Sequence, residues 1–383
     1  GTSTFEVRVL LCTLALIVLE WLYVSVFYFA MHRRNFELEF IAFFLSGVGI
    51  AVIGSIKPDD AFKQLLMMIA GVIGFIVLVY LMGDVDLCMR LRLPVAVAAI
   101  LLLIVNIAIA KVTHGARNWI TIFGVTFQPS EFVKILLVFF LAAALWEKTN
   151  FLRVALTALI AGGEVMILVF SRDLGSALIF FIAYVFMVFI ATRNYLYLLA
   201  GAVGGSGAAM LAYRLFTHVQ TRVQAWRDPW AYIDTKGWAV TQSLFAIGSG
   251  SWFGMGLLNG NPTAIPYVEA DFIFSSICEE LGVIFGICLI LICISSFLEM
   301  MRISVQIHDR FYQLIVYGIG IMYIFQIFLT VGGGTKFIPL TGVTLPFISY
   351  GGSSVMTTMI MFFIIQGIYI RLQKEGERRS GRK

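Results

Sequence analysis

An all-α polytopic membrane protein is the fold class this sequence predicts, on three observations. The mean hydropathy is +0.94, with 60% apolar and only 13% charged residues, where a soluble domain carries about 25% charged. The apolar residues fall in unbroken runs, mostly about 17–22 residues long, which is the length of a bilayer-crossing helix. An outer-membrane barrel would instead alternate at period two in segments of about ten residues, and lipid leaves no water to satisfy any other open backbone. Third, residues 217–271 break the pattern with a polar segment too rich in Gly, Trp and charge for lipid, and too patterned for a disordered tether. Loops longer than about 12–15 residues are usually functional or disordered, so the chemistry is expected there.

The runs number about eleven, and basic residues place the loops between them. Run 9–30 reads as a helix rather than a signal peptide: only Arg8 precedes it, and no small-residue cleavage site follows. His32, Arg33 and Arg34 then lead into run 39–56, and Lys57 marks the next turn before run 65–82. Arg90 and Arg92 precede run 93–110, and a loop around Trp119 precedes run 132–145. Lys148 and Arg153 separate that run from 154–170, Arg172 marks the turn to 174–191, and Arg193 the turn to 195–215. The long polar segment follows, then run 272–298, Arg302 and Arg310, run 314–331, a loop with Lys336, run 355–370 and a basic tail. Loops rich in Lys and Arg alternate with poor ones, and the positive-inside rule makes the rich ones cytoplasmic. The long segment then faces outward. This divides the chain into an extra N-terminal membrane helix within 1–38, a membrane domain over 39–371 with a large outward loop at 216–271, and a cytoplasmic tail at 372–383. The net charge of +5 reflects that bias and the tail, which reads as an anchor on anionic lipid rather than a nucleic-acid arm.

The five cysteines form no CxxC pair, and with the four scattered histidines they make no zinc pattern. Cys288 and Cys293 read as packing residues. No Walker loop, GxSxG or internal repeat is visible. Without a nucleotide site, the energy for any reaction must arrive with the substrate.

Four outward segments carry the candidate chemistry. In residues 115–135 (GARNWITIFGVTFQPSEFVKI), Pro129 suits a first helical turn. Glu131 and Lys134 share one helix face three residues apart. An ion pair turned into a helical bundle is a functional candidate by default, with a structural pair as the alternative; Trp119 could equally be an interfacial anchor. In SRDLGSA (171–177), Arg172 and Asp173 sit on a short turn between two helices, either at a site or snorkelling to headgroups. Residues 339–354 (PLTGVTLPFISYGGSS) form an irregular Pro- and Gly-rich loop preceded by Lys336, which must be covered by protein or line a cavity at that depth. The long loop ends in Glu269-Ala270-Asp271 against Phe272-Ile273-Phe274. Burial at that boundary would raise the Asp271 pKa towards a general-base value; the plainer alternative is a helix cap. Glu279 and Glu280 follow, read as a helix-end pair facing protein.

These stretches carry a resemblance. GARNW, FQPSEFVKI, RDLGSA, QSLFAIGSGSWFGMGL, DFIF with EELG, and TGVTLPFISYGGSS stand in the order and spacing of the SEDS family (shape, elongation, division and sporulation; RodA, FtsW and SpoVE), over about residues 39–371. The resemblance implies a ten-helix peptidoglycan glycosyltransferase, here with one extra N-terminal helix. Such enzymes polymerise lipid II at the outer face of the cytoplasmic membrane, with a class B penicillin-binding protein as transpeptidase partner. It puts the family's essential loop aspartate on Asp271, its functional tryptophan on Trp119 and its glutamate–lysine pair on Glu131 and Lys134. The same motif stretches add Gln242, Ser243, Thr341 and Ser349 as substrate-side candidates. No cofactor is called for, and dependence on a divalent cation is not legible. The chain departs from the family pattern in Glu269-Ala270-Asp271, where His-Thr-Asp is common, at Arg172, where proline is common, and over 330–336, which replaces an Asn-rich, Gly-Leu stretch. Elongation, division and sporulation all stay open.

The chemistry implied is transfer from a lipid diphosphate donor to the 4-hydroxyl of an acceptor sugar. The leaving diphosphate needs cations; Arg117, Lys134, Arg172, Arg222 and Lys336 are the outward-side candidates, and Asp271 the base. A lipid-linked precursor transporter is the alternative. Transporters show inverted repeats, interrupted helices and midplane charges, whereas here the polar residues gather at outward ends. A non-catalytic wall scaffold would not need Asp271.

Overall fold

Continuous apolar runs have one way to satisfy their backbone in lipid, and the chain takes it. The computed structural model describes residues 7–31, 35–81, 85–113, 116–122, 125–147 and 149–379. The first eight helices are α1 (Val7–Met31), α2 (Glu37–Ile56), α3 (Pro58–Leu81), α4 (Val85–Ile109), α5 (Pro129–Leu145), α6 (Phe151–Phe170), α7 (Leu174–Thr192) and α8 (Tyr195–Leu215). The polar segment folds into α9 (Thr217–Arg227), α10 (Trp238–Gly250) and two short 3-10 turns. Then come α11 (Ile273–Leu281), α12 (Val283–Gln306), α13 (Arg310–Gly334) and α14 (Gly352–Arg379). Among the described residues nine helices are long and apolar enough to cross a membrane. The remaining two expected runs lie in α3, of 24 residues, and α5, of 17. The protein is a multi-pass helical membrane protein.

The middle of the molecule is α13 and α14. The first packs on α5, α7 and α12, and the second on α3 and α5. Small residues allow the closest approaches. A Cβ at Gly71 of α3 would lie 2.8 Å from the Met359 Cβ on α14. The extra helix α1 is seated on α2 and α3. Val9 covers Gly54, the Tyr23 hydroxyl donates to Glu39 Oε1 at 3.3 Å, and Arg8 pairs with Asp59 at 2.9 Å.

The structure adds to the sequence reading in two places and corrects it in a third. The outward loop before α5 holds strands that the sequence reading did not include: β1 (Lys111–Thr113), β2 (Ala116–Ile122) and β3 (Val125–Phe127) form a small antiparallel sheet in the order β1-β2-β3. Short strands with alternating Trp119 and Thr121 carry too weak a period to be read from sequence. The α14 backbone continues into the basic tail as far as Arg379. The expected helix 272–298 is two helices, broken at Gly282 with φ 90° and ψ 160°.

That break has a physical cause. A helix end leaves unpaired carbonyls and a helix start unpaired N–H groups. Residues 251–256 supply both sets of partners. Met255 N–H and Gly256 N–H donate to the Glu279 and Glu280 carbonyls, each at 2.9 Å. Val283 N–H and Ile284 N–H donate to the Ser251 and Trp252 carbonyls at 3.0 and 3.3 Å. Backbones this close exclude side chains: a Cβ at Gly282 would lie 2.4 Å from the Trp252 carbonyl oxygen, and one at Gly254 2.3 Å from that of Glu280. Glu279 and Glu280 reinforce the join. Glu280 Oε1 accepts from Leu258 N–H and Glu279 Oε1 from Asn261 N–H, both at 3.1 Å. The acidic pair faces protein, as read from sequence. Interrupted helices are frequent in transporters, but this break is closed by the chain's own loop.

Candidate active site

Asp271 is delivered by a tight turn. Its N–H donates to the Tyr267 carbonyl at 3.0 Å, with Tyr267 in the left-handed region at φ 57°. Two contacts from the loop after α13 fix the strand of chain just before it. Ser349 Oγ donates to the Ala270 carbonyl at 2.6 Å, and Tyr350 N–H to the Glu269 carbonyl at 2.7 Å. Glu269 itself pairs with Lys57. Phe272 behind the carboxylate is 1% exposed and anchors the turn in an apolar cluster with Val240, Ile265 and Val268. The cap residue of α11 is Phe272, and no side chain caps that helix. The helix-cap reading of Asp271 does not describe it.

Arg222 of α9 is the cation beside this carboxylate. Its Nη1 donates to the Thr341 carbonyl at 2.9 Å and the Leu340 carbonyl at 3.4 Å. Gly342, whose φ of 73° suits glycine, lies between the two groups: a Cβ there would touch both Arg222 Nη2 and Asp271 Oδ2 at an ordinary contact distance of 3.7 Å. Burial pushes the Asp271 pKa up to about 6; Arg222 pulls it back down and Glu269 adds to the rise. Burial lowers the Arg222 pKa, opposed by Asp271 and then Asp173. His218, one turn earlier on α9, is held in its neutral form by burial and by Arg172 and Arg222.

Asp173 joins the starts of two helices. Its Oδ1 accepts from Ser176 N–H at 3.1 Å, capping α7. Its Oδ2 accepts from Gln128 Nε2 and Ser130 Oγ at 3.0 and 3.1 Å, at the start of α5. Arg172 is exposed, with φ 65°. One turn into α5, Lys134 Nζ meets Glu131 Oε2 at 2.7 Å, the side chains 0% and 5% exposed. Buried ions need further hydrogen bonds to offset lost hydration, and they have them. Lys134 donates to Gln326 Oε1 at 2.9 Å, and Glu131 Oε2 accepts from Thr357 Oγ1 at 3.2 Å. Gln326 Nε2 donates to the Thr344 carbonyl at 2.9 Å, in the same loop that holds Ala270.

The other candidates are spread around this frame. Trp119 lies in β2, half-buried, opposite Lys111. Arg117 lies in the same strand; its side chain is outside the described residues. Ser243 is fully buried and structural in its contacts, sharing a 2.6 Å hydrogen bond with Ser275 Oγ and donating to the Gly334 carbonyl at 2.7 Å. Gln242 beside it is half-buried. Thr341 Oγ1 is buried without a partner among the described residues, while its carbonyl holds Arg222. Lys336 is half-buried and lines a cavity with Arg222 and Lys236. The structure therefore gathers Asp271, Arg222, Thr341 and Ser349 closely, with Asp173 and Arg172 acting on the same α9 face. Glu131 and Lys134 sit behind them, in the scaffold. Cys293 is buried as expected, but Cys288 is exposed.

Sequence reasoning missed Gln326, Thr357, Gln128, Lys236 and His218. Gln326 and Thr357 lie inside apolar runs, and polar residues within such runs were the available signal.

A half-buried carboxylate with its pKa raised to about 6, near a guanidinium held by backbone carbonyls, defines a class: a polytopic membrane protein with a candidate acid–base site under a folded loop. The chain matches the cell cycle protein family that groups FtsW, RodA and SpoVE, over residues 40–374, and it belongs to that family. The peptidoglycan glycosyltransferase RodA of Mycobacterium tuberculosis is 31% identical over 353 residues, covering 85% of this chain and 75% of the relative. Stage V sporulation protein E of Bacillus subtilis is 34% identical over 326 residues, covering 81% and 88%. In fold, the chain resembles one described in a peptidoglycan synthase complex that coordinates polymerization and crosslinking, with a TM-score of 0.76, 23% identity, and 88% and 98% of the chains covered. Thermus thermophilus RodA gives a TM-score of 0.66 at 22% identity, covering 88% and 96%.

Proposed function

We propose that this chain is a peptidoglycan glycosyltransferase that polymerises lipid II at the outer face of the cytoplasmic membrane. The single observation that carries the reading is the Asp271 carboxylate, raised to a pKa of about 6, unused as a cap and set beside Arg222. A general base works best with a pKa near the working pH. In this reading Asp271 takes the proton from the acceptor's 4-hydroxyl. That oxygen attacks the donor's anomeric carbon, the bond to the diphosphate breaks, and the configuration inverts. Arg222 and Arg172 face the negative charge that develops on the leaving group. The carbonyls of Leu340 and Thr341 hold Arg222 in place, so it need not reorganise during the reaction. Glu131 and Lys134 act by positioning, through Gln326 and the loop that carries Ser349. Trp119, Gln242 and Arg117 are proposed to border the sugar or its diphosphate.

A class B penicillin-binding protein is the proposed partner, because the products are strands that need cross-linking. The reading is tested with purified protein and lipid II, alone and with the transpeptidase. Glycan strands longer than the input disaccharide, resolved by electrophoresis, are expected. Intact lipid II under both conditions would contradict it.

A further inference from the structure

A second feature shares Arg222 with the Asp271 site. A cavity opens between α9, α10 and the segment that follows α13, and three of its lining residues are Arg222, Lys236 and Lys336. None of the three cations has a carboxylate within ion-pair distance among the described residues. Arg222 bonds to backbone carbonyls. Lys236 bonds to the Gln224 amide oxygen and stands 3.8 Å over the Tyr232 ring. Three positive charges in one recess repel each other and lose hydration, a cost that persists only where something offsets it.

The backbone at Lys336 sharpens the point. Its φ is 60°, a conformation that favours glycine and costs a side-chain-bearing residue roughly 1 kcal/mol or more. The Trp226 indole pins this carbonyl at 3.1 Å. A strained lysine, clamped where it lines a cavity beside two other cations, is unfavourable for folding. It is expected only where the charge is used.

We infer that this cavity binds a diphosphate group, with Lys236 and Lys336 as ligands that the Asp271 site does not itself include. The inference rests on the reading of the chain as acting on diphosphate-linked lipids. Arg222 then serves both places, since it interacts with Asp271 and also lines the cavity. A diphosphate could arrive on a polyprenyl tail or as the free anion; the chemistry that recognises it is the same.

The test is direct binding to the purified full chain in detergent, by calorimetry, with inorganic pyrophosphate and with farnesyl diphosphate. Lys336→Gly removes the ammonium and also relieves the left-handed strain. It should keep or raise the melting temperature while weakening both ligands roughly tenfold, the size of a lost charged hydrogen bond. Lys236→Gln should weaken them similarly, and Lys336→Arg should keep most of the affinity. Tighter binding of the farnesyl compound would assign the site to a lipid-borne diphosphate, and equal binding to the free anion. Wild-type affinity in both Lys336→Gly and Lys236→Gln would overturn the inference. Binding that depends on these lysines in a chain that does not polymerise lipid II would leave it standing and sink the glycosyltransferase reading instead.

Discussion

Asp271 shows how one residue's surroundings set its chemistry. Burial favours its neutral form and Arg222 its charged form, and burial wins, leaving the pKa at about 6. A base must be deprotonated to act, so polymerisation should fall as the pH drops through about 6 and level off above it. Arg222→Gln removes the group that favours ionisation, so the acid limb should move to higher pH, and the plateau should fall as well. A pH profile of initial rates checks both; an unmoved limb would remove Arg222 from the electrostatics of Asp271. The folded pKa lies above the ordinary carboxylate value of 3.8, so this group favours folding below that value and loses the contribution as pH rises through about 6. Asp271→Asn should therefore melt at or above the wild-type temperature at pH 7.5, with the difference closing below pH 4. Asp271 and the Glu131–Lys134 pair were legible because charge at an apolar boundary is conspicuous. Arg222 was one cation among several; only folding of α9 against the 340–342 loop singles it out. Lys236 and Gln326 were not legible, because their significance lies in residues about 100 and 190 positions away in the chain.

The elements are tied by buried polar joints rather than by apolar packing alone. Glu131 and Lys134 link α5 to α13 and α14 through Gln326 and Thr357. Breaking a buried pair by removing one partner strands the other charge, at a cost of about 3–5 kcal/mol. Glu131→Gln and Lys134→Met should each lower the melting temperature in detergent, and the double variant should lose much less than the sum. Additive losses would show that the two do not act as a pair. The α11–α12 break makes a second case. Gly282→Ala must place a Cβ at φ 90°, 2.4 Å from the Trp252 carbonyl. Loss of several degrees of melting temperature is expected, together with faster protease cleavage within 251–264. Wild-type protease resistance would mean the break does not hold that loop. The sequence showed the glycines of GSGSWFGMG and EELG but not the break, because each half alone reads as helix and only their pairing reveals it.

At the scale of the molecule, a membrane bundle supports a folded polar cap at one end. The helix count and the loop's position were readable from hydropathy, since lipid permits so few backbones. The cap's architecture was not, because side chains of α9 and α10 tie these helices to carbonyls about 90–120 positions away, as Arg222 to Thr341, Trp226 to Lys336 and Ser243 to Gly334. The cap orients Asp271 by Ser349 and Tyr350, and shields it by Phe272 and the 340–342 loop. Every part of the account converges on that carboxylate as the base for glycan polymerisation. The most direct measurement compares purified wild-type and Asp271→Asn protein in lipid II polymerisation at pH 7.5, each first shown to be folded by thermal melting. The account predicts a fall of about 10²–10⁴-fold in rate, the usual cost of losing a general base, with no loss of thermal stability. A folded Asn variant that polymerises lipid II at the wild-type rate would contradict it.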